Sequence, residues 1–171
     1  MASKRKTVAE RVAHALQATK CHVHAPVAGR GQHRRYVRAV ADTLAAHPGN
    51  VKVAERAAIV LGDYSGDEAE PLLRELLAHA APTVRAAALN GMRRSGDARY
   101  GEAAVEMLRD PEAPVRKEAL KALGAVGDEA CLAPVAAHAE AETVGYLCDL
   151  ARQAADEIGG RRAAADGEGE T

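Results

Sequence analysis

Residues 83–89 read Thr83-Val84-Arg85-Ala86-Ala87-Ala88-Leu89 and lead to Ser95-Gly96-Asp97; residues 114–120 read Pro114-Val115-Arg116-Lys117-Glu118-Ala119-Leu120 and lead to Val126-Gly127-Asp128. Val84 and Val115 are separated by the same interval as the two Gly-Asp pairs, so the second stretch repeats the first in register. A period between 20 and 50 residues marks stacked supersecondary units, each burying the apolar face that its neighbour cannot cover alone. The same offset continues on both sides. Val53, Ala57, Ala58 and Leu61 align with Val84, Ala88, Leu89 and Met92, and then with Val115, Ala119, Leu120 and Leu123. A second set, Leu73, Leu76 and Leu77, aligns with Ala104, Met107 and Leu108, and then with Val135, His138 and Ala139.

Both sets have helical spacing. The composition agrees: 47% of the 171 residues are apolar, yet aromatics are 2% and Phe and Trp are absent. A core of Ala, Leu and Val favours helices that approach closely, and Ala and Leu are the best helix formers. Long strands would need the aromatic and β-branched residues that are scarce here. The expected fold is all-α, an α-solenoid of about nine helices in four to five stacked pairs.

Outside the regular repeats the chain divides as follows. Residues 1–6 form a basic arm. Thr7-Val8-Ala9-Glu10 is a capping box for a helix over about 8–19, with Val8, Val12 and Leu16 on its apolar stripe. Residues 20–32 carry Pro26, Gly29 and Gly31 and read as a loop. A helix follows over about 33–47, ended by His47-Pro48-Gly49-Asn50. Residues 7–47 are thus an atypical first pair, and residues 50–139 are the regular repeats. Residues 143–158 form a C-terminal capping helix carrying Val144, Leu147, Cys148, Ala151, Ala155 and Ile158. Residues 159–171, opening on Gly159-Gly160, are expected to be a disordered acidic tail.

Gly66-Asp67, Gly96-Asp97 and Gly127-Asp128 separate the paired helices. Glycine in the left-handed region ends one helix, and aspartate caps the next. The Val-Arg helix start, the Ala-Leu core and this turn, recurring once per period, resemble the short HEAT-like repeats first described in phycobilin lyases. The resemblance is good from Val53 to Ala139 and weaker to Ile158. It implies a right-handed solenoid whose inner helices offer a concave face, used mostly to bind macromolecules. It also implies that Asp and Arg of neighbouring turns pair for stacking, here Asp97 with Arg116 and Asp67 with Arg85. Ala54 stands where the first repeat should have its arginine.

Charge is polarised. Residues 1–50 carry nine Lys/Arg against two acidic residues, a net +7, and residues 110–171 carry six against thirteen, a net −7. Lys4, Arg5, Lys6, Arg11, Arg30, Arg34, Arg35 and Arg38 make the basic end and the candidate partner-binding face. Arg34 and Arg38 fall one helical turn apart. Cys21, His22, His24 and His33 have partial zinc-ligand spacing but lack a second tight ligand pair, so no metal is expected. Cys131 and Cys148 fall on apolar stripes and read as core residues. No nucleophile stands beside a base at any recurring position, so neither catalysis nor a cofactor is expected. Three scattered cysteines indicate a reducing cytoplasm, and no apolar run suits a signal peptide or membrane span.

These observations point to a non-enzymatic adaptor. Its concave face would dock on a larger assembly, most simply a protein, while the basic end steers the encounter. The alternatives are RNA or DNA binding through residues 4–38, a tetrapyrrole-lyase-like or small-molecule role, and salt-sensitive self-association between the two ends.

Overall fold

The computed structural model describes residues 7–17, 30–64 and 67–167. Among these residues the regular structure is helical, with no strand. It comprises α1 (Val8–Gln17), α2 (Arg30–Ala46), α3 (Val51–Leu61), α4 (Glu70–Leu77), α5 (Pro82–Ser95), α6 (Gly101–Glu106), α7 (Ala113–Val126), α8 (Leu132–Ala141) and α9 (Gly145–Gly167). The protein is of the all-α solenoid class. It divides into two compact units, residues 1–91 and 92–171, with the division inside α5.

The period predicts the core. All twelve aligned first-helix positions, from Val53 to Leu123, are at most 1% exposed. So are Leu73, Ala104 and Val135 of the second helices. A fully buried Leu or Val side chain contributes roughly 1.5–3 kcal/mol, so recurrence at these positions stabilises each repeat in the same way.

In the first unit, α1 packs on α2 and α3, and α3 packs on α4. The capping box forms: Glu10 N donates to Thr7 Oγ1 at 3.2 Å, and Thr7 N donates to Glu10 Oε2 at 2.7 Å. The turn into α3 uses Gly49 at φ 78°. Asn50 then caps the helix by accepting the Val53 N–H at 3.2 Å. The α3 and α5 backbones meet at glycines. A Cβ built on Gly62 would lie 2.5 Å from the Gly91 carbonyl oxygen, and one on Gly91 would run into that of Ala58.

In the second unit, α6 packs on α7, and α7 and α8 both pack on α9. The second helix of this repeat is irregular, since α6 is flanked by single 3₁₀ turns at Ala98–Tyr100 and Met107–Arg109. Of the glycine turns, Gly96 is left-handed at φ 67°. Gly127 is not: it is extended at φ −66°, ψ 142°. Asp97 caps through its side chain on Arg99 N, whereas Asp128 makes no such bond and its carboxylate accepts from Cys131 Sγ at 3.4 Å.

The expected tail is in part a helix. α9 runs through Gly159-Gly160 to Gly167. Arg161 anchors the extension at the end of α7, donating to the carbonyls of Gly127 at 2.8 Å, of Leu123 at 3.4 Å, and of Gly124. Carbonyls of a last helical turn have acceptor capacity to spare, and a cation at a helix C-terminus also meets its dipole. Ala163-Ala164-Ala165 then supply the best helix former. Residues 168–171 lie outside the described residues.

Candidate functional site

Of the expected basic end, Lys4, Arg5, Lys6 and the side chain of Arg30 lie outside the described residues. Arg11 on α1 and Arg34, Arg35 and Arg38 on α2 are all exposed. Arg34, with its side chain 79% exposed, directs Nε at the carboxylate of Glu68, just before α4. Such a surface pair stabilises little, on the order of 0–1 kcal/mol. Among the described residues Arg11, Arg35 and Arg38 make no ion pair.

Aromatic side chains beside this face are already engaged. Tyr36 stacks on Tyr64 with ring centroids 5.8 Å apart and 18° between planes. His33 meets Tyr64 edge-on at 5.3 Å. Tyr64 is 2% exposed, and burial pushes its phenol up to about 12. Among the described residues the Tyr64 hydroxyl has no hydrogen-bond partner. His33 therefore packs against an aromatic ring. Cys21, His22 and His24 lie outside the described residues, and among the described residues no three His, Cys, Asp or Glu side chains cluster to hold a metal.

One repeat arginine, Arg116, differs from expectation in its acid partner. Arg116 does not reach Asp97. Its Nε and Nη2 bind the two oxygens of Glu142 at 2.7 and 3.1 Å, and its Nη1 donates to the carbonyls of Asp110 and Pro111 at 3.0 and 3.1 Å. Asp97 is instead gripped by Arg99, two residues on, at 2.7–3.1 Å, which lowers its carboxyl below the usual range. The reason is geometric: Asp97 is committed to capping its own turn, and the loop before α9 offers Glu142 in its place. Arg85 makes the same backbone contacts as Arg116, donating through Nη1 to His79 O at 2.9 Å and Ala80 O at 3.0 Å.

Glu142 gathers further donors. Its Oε1 accepts the N–H groups of Thr143 and Val144 at 2.9 and 3.0 Å. The Arg116 guanidinium, more than these, holds its carboxyl down at about 2, and the same bond raises the Arg116 pKa. His138 Nε2 lies 3.4 Å from Glu142 Oε2, yet it makes no hydrogen bond among the described residues. Burial lowers the His138 pKa, so the contact is that of a neutral ring and not a salt bridge. Cys131 is buried as expected, and burial raises its thiol. Cys148 is half-buried and donates to the Glu142 carbonyl at 3.2 Å.

Neither Glu68 nor Glu142 is marked in the sequence, because neither recurs with the period. Their roles depend on loops that bring residues 34 and 26 positions apart together.

Comparison with known families agrees with the period. Residues 41–111 match a family of HEAT repeats. Residues 115–140 match the PBS lyase HEAT-like repeat. No curated protein matches the chain.

Proposed function

Since the chain belongs to the HEAT-like repeat proteins, we propose that it is a non-enzymatic adaptor that docks on an acidic protein surface or assembly. Helical repeats of this kind commonly serve protein interaction and are generally not enzymes. The concave face expected of such repeats makes the shape-specific contact. The basic face of α1 and α2 steers the encounter.

One observation carries the choice of a protein over a nucleic acid. Arg35 and Arg38 are open, but the aromatic rings beside them are not: Tyr36 stacks on Tyr64, and Tyr64 is buried. Binders of single strands present aromatic faces to bases, whereas the one tyrosine on this face, Tyr36, is partly buried and stacked on Tyr64. Arg34 already holds the carboxylate of Glu68, the chemistry an acidic protein would present. The lyase-like alternative has no such support. Self-association of the two ends remains a separate outcome to be read by sedimentation at low and high salt.

The test is capture from lysate with and without nuclease, using the full chain and an R34E/R35E/R38E variant. The reading predicts a discrete protein assembly that survives nuclease and is lost with the variant. Material that disappears with nuclease would make the protein a nucleic-acid binder. Its affinity would then fall by orders of magnitude between low and moderate salt.

A further inference from the structure

Arg85 and Arg116 stand one repeat apart and use one geometry: each Nη1 donates to the carbonyls six and five residues back, at 2.9–3.1 Å. A guanidinium thus bridges the end of one helix to the start of the next. The same register in α3 falls on Ala54, and the carbonyls six and five residues back belong to Pro48 and Gly49. Alanine has nothing to donate. Neither carbonyl accepts a hydrogen bond among the described residues.

Above this position the structure holds a cleft of about 360 Å³, bordered by Pro48, Gly49, Ala54, Leu44, Leu72 and Glu75. Ligand sites begin near about 300 Å³. Pro48, Gly49 and Glu75 are exposed, so the cleft opens to solvent. Glu75 forms no ion pair among the described residues. It supplies here the kind of carboxylate that Glu142 offers Arg116 in the second unit.

We propose that this cleft is a receptor for an arginine side chain carried by a protein partner. The guest guanidinium takes the place of the missing repeat arginine, donating to the Pro48 and Gly49 carbonyls and pairing with Glu75. Leu44 and Leu72 border the space for its methylenes. A lysine is a poorer guest, because its ammonium is a compact point charge without the planar fork that spans two acceptors. The site binds a cation and lies apart from the exposed arginines of α2. It stands or falls independently of the docking role given to that face.

The experiment titrates the full chain with Nα-acetyl-arginine amide and follows backbone amide resonances, with Nα-acetyl-lysine amide as the comparison. The expected result is saturable shifts confined to residues around Gly49, Asn50 and Ala54, with arginine binding at least about fivefold more tightly than lysine. E75Q, at an exposed position, should weaken arginine binding about tenfold. A54R should supply the guanidinium internally, raise Tm and abolish the response. Equal, unsaturable shifts with both amides would overturn the proposal. So would E75Q binding as the wild type does, whether or not A54R folds. A folded A54R that still takes arginine with unchanged affinity would overturn it too.

Discussion

Arg116 and Glu142, 26 residues apart, face each other as a two-bonded guanidinium–carboxylate pair whose side chains are 15% and 4% exposed. The pair ties the start of α7 to the loop that opens α9. Each partner also bonds backbone groups, Arg116 to the Asp110 and Pro111 carbonyls and Glu142 to the Thr143 and Val144 N–H groups, which offsets part of the desolvation of a shielded ion pair.

Breaking this pair should be costly and acid-sensitive. E142Q leaves the guanidinium shielded without its charge partner and is expected to cost about 2–4 kcal/mol at neutral pH. The Glu142 carboxyl lies at about 2 in the folded protein against 4.5 when free. Its stabilisation is therefore complete above about 4.5 and is lost as the pH falls toward 2. Urea unfolding at pH 7 and pH 3 should show the gap between wild type and E142Q narrowing at the lower pH. An equal gap at both would refute the assignment.

His138 stands at the position taken by Leu76 and Met107 in the other repeats. Its folded pKa is depressed by burial, so protons favour the unfolded chain and stability is lost as pH falls through 6.5 and below. H138M should gain about 1 kcal/mol over the wild type at pH 5, with a smaller gain at pH 8. Thermal melts at the two pH values read this directly.

Gly62 and Gly91 leave no room for a methyl group, since the atoms in the way are backbone. G91A should destabilise by about 3 kcal/mol, because neither helix can yield without moving its neighbours. A cost below about 1 kcal/mol in chemical unfolding would contradict the close approach.

Gly159 and Gly160 are helical, and a Cβ on either meets open space. Replacing each with alanine should stabilise by roughly 0.5–1 kcal/mol. R161A, which removes the anchor on the α7 carbonyls, should expose residues 159–167 to limited proteolysis. A protease map unchanged by R161A would show that the anchor holds nothing.

The Tyr64 hydroxyl is buried without a partner among the described residues. Y64F should therefore be neutral or stabilising by about 1 kcal/mol, where most core polar deletions destabilise. A loss of more than 1 kcal/mol by calorimetry would show that the hydroxyl does find a partner.

The core and the helix order were legible because they repeat. One apolar set at helical spacing, copied once per period, specifies which faces are buried before any contact is known. Thr7 and Glu10 were legible for a different reason, since a capping box is complete within four residues. What escaped was what depends on loops. Gly127 and Gly96 occupy equivalent places in the sequence, yet only Gly96 takes the left-handed conformation. Gly159-Gly160 reads as a stop, yet the helix continues, with the Arg161 guanidinium reaching the end of α7. Asp97 could be matched to Arg116 by pattern, but the acid that binds Arg116 is aperiodic. For the same reason the exposed arginines of α2 could be identified in advance while the carboxylate opposing Arg34 could not.

The guanidinium contacts of Arg85 and Arg116 also act as a ruler. Each spans a fixed six residues of chain, from His79 or Asp110 to the arginine itself. A single residue inserted inside that span would shift both carbonyls out of reach together. The same insertion beside Gly96 would merely lengthen a turn. Length variation in this array should therefore accumulate at the turns within helix pairs, while the junctions between pairs keep their count. Where Ala54 releases the first junction from the ruler, that constraint lapses.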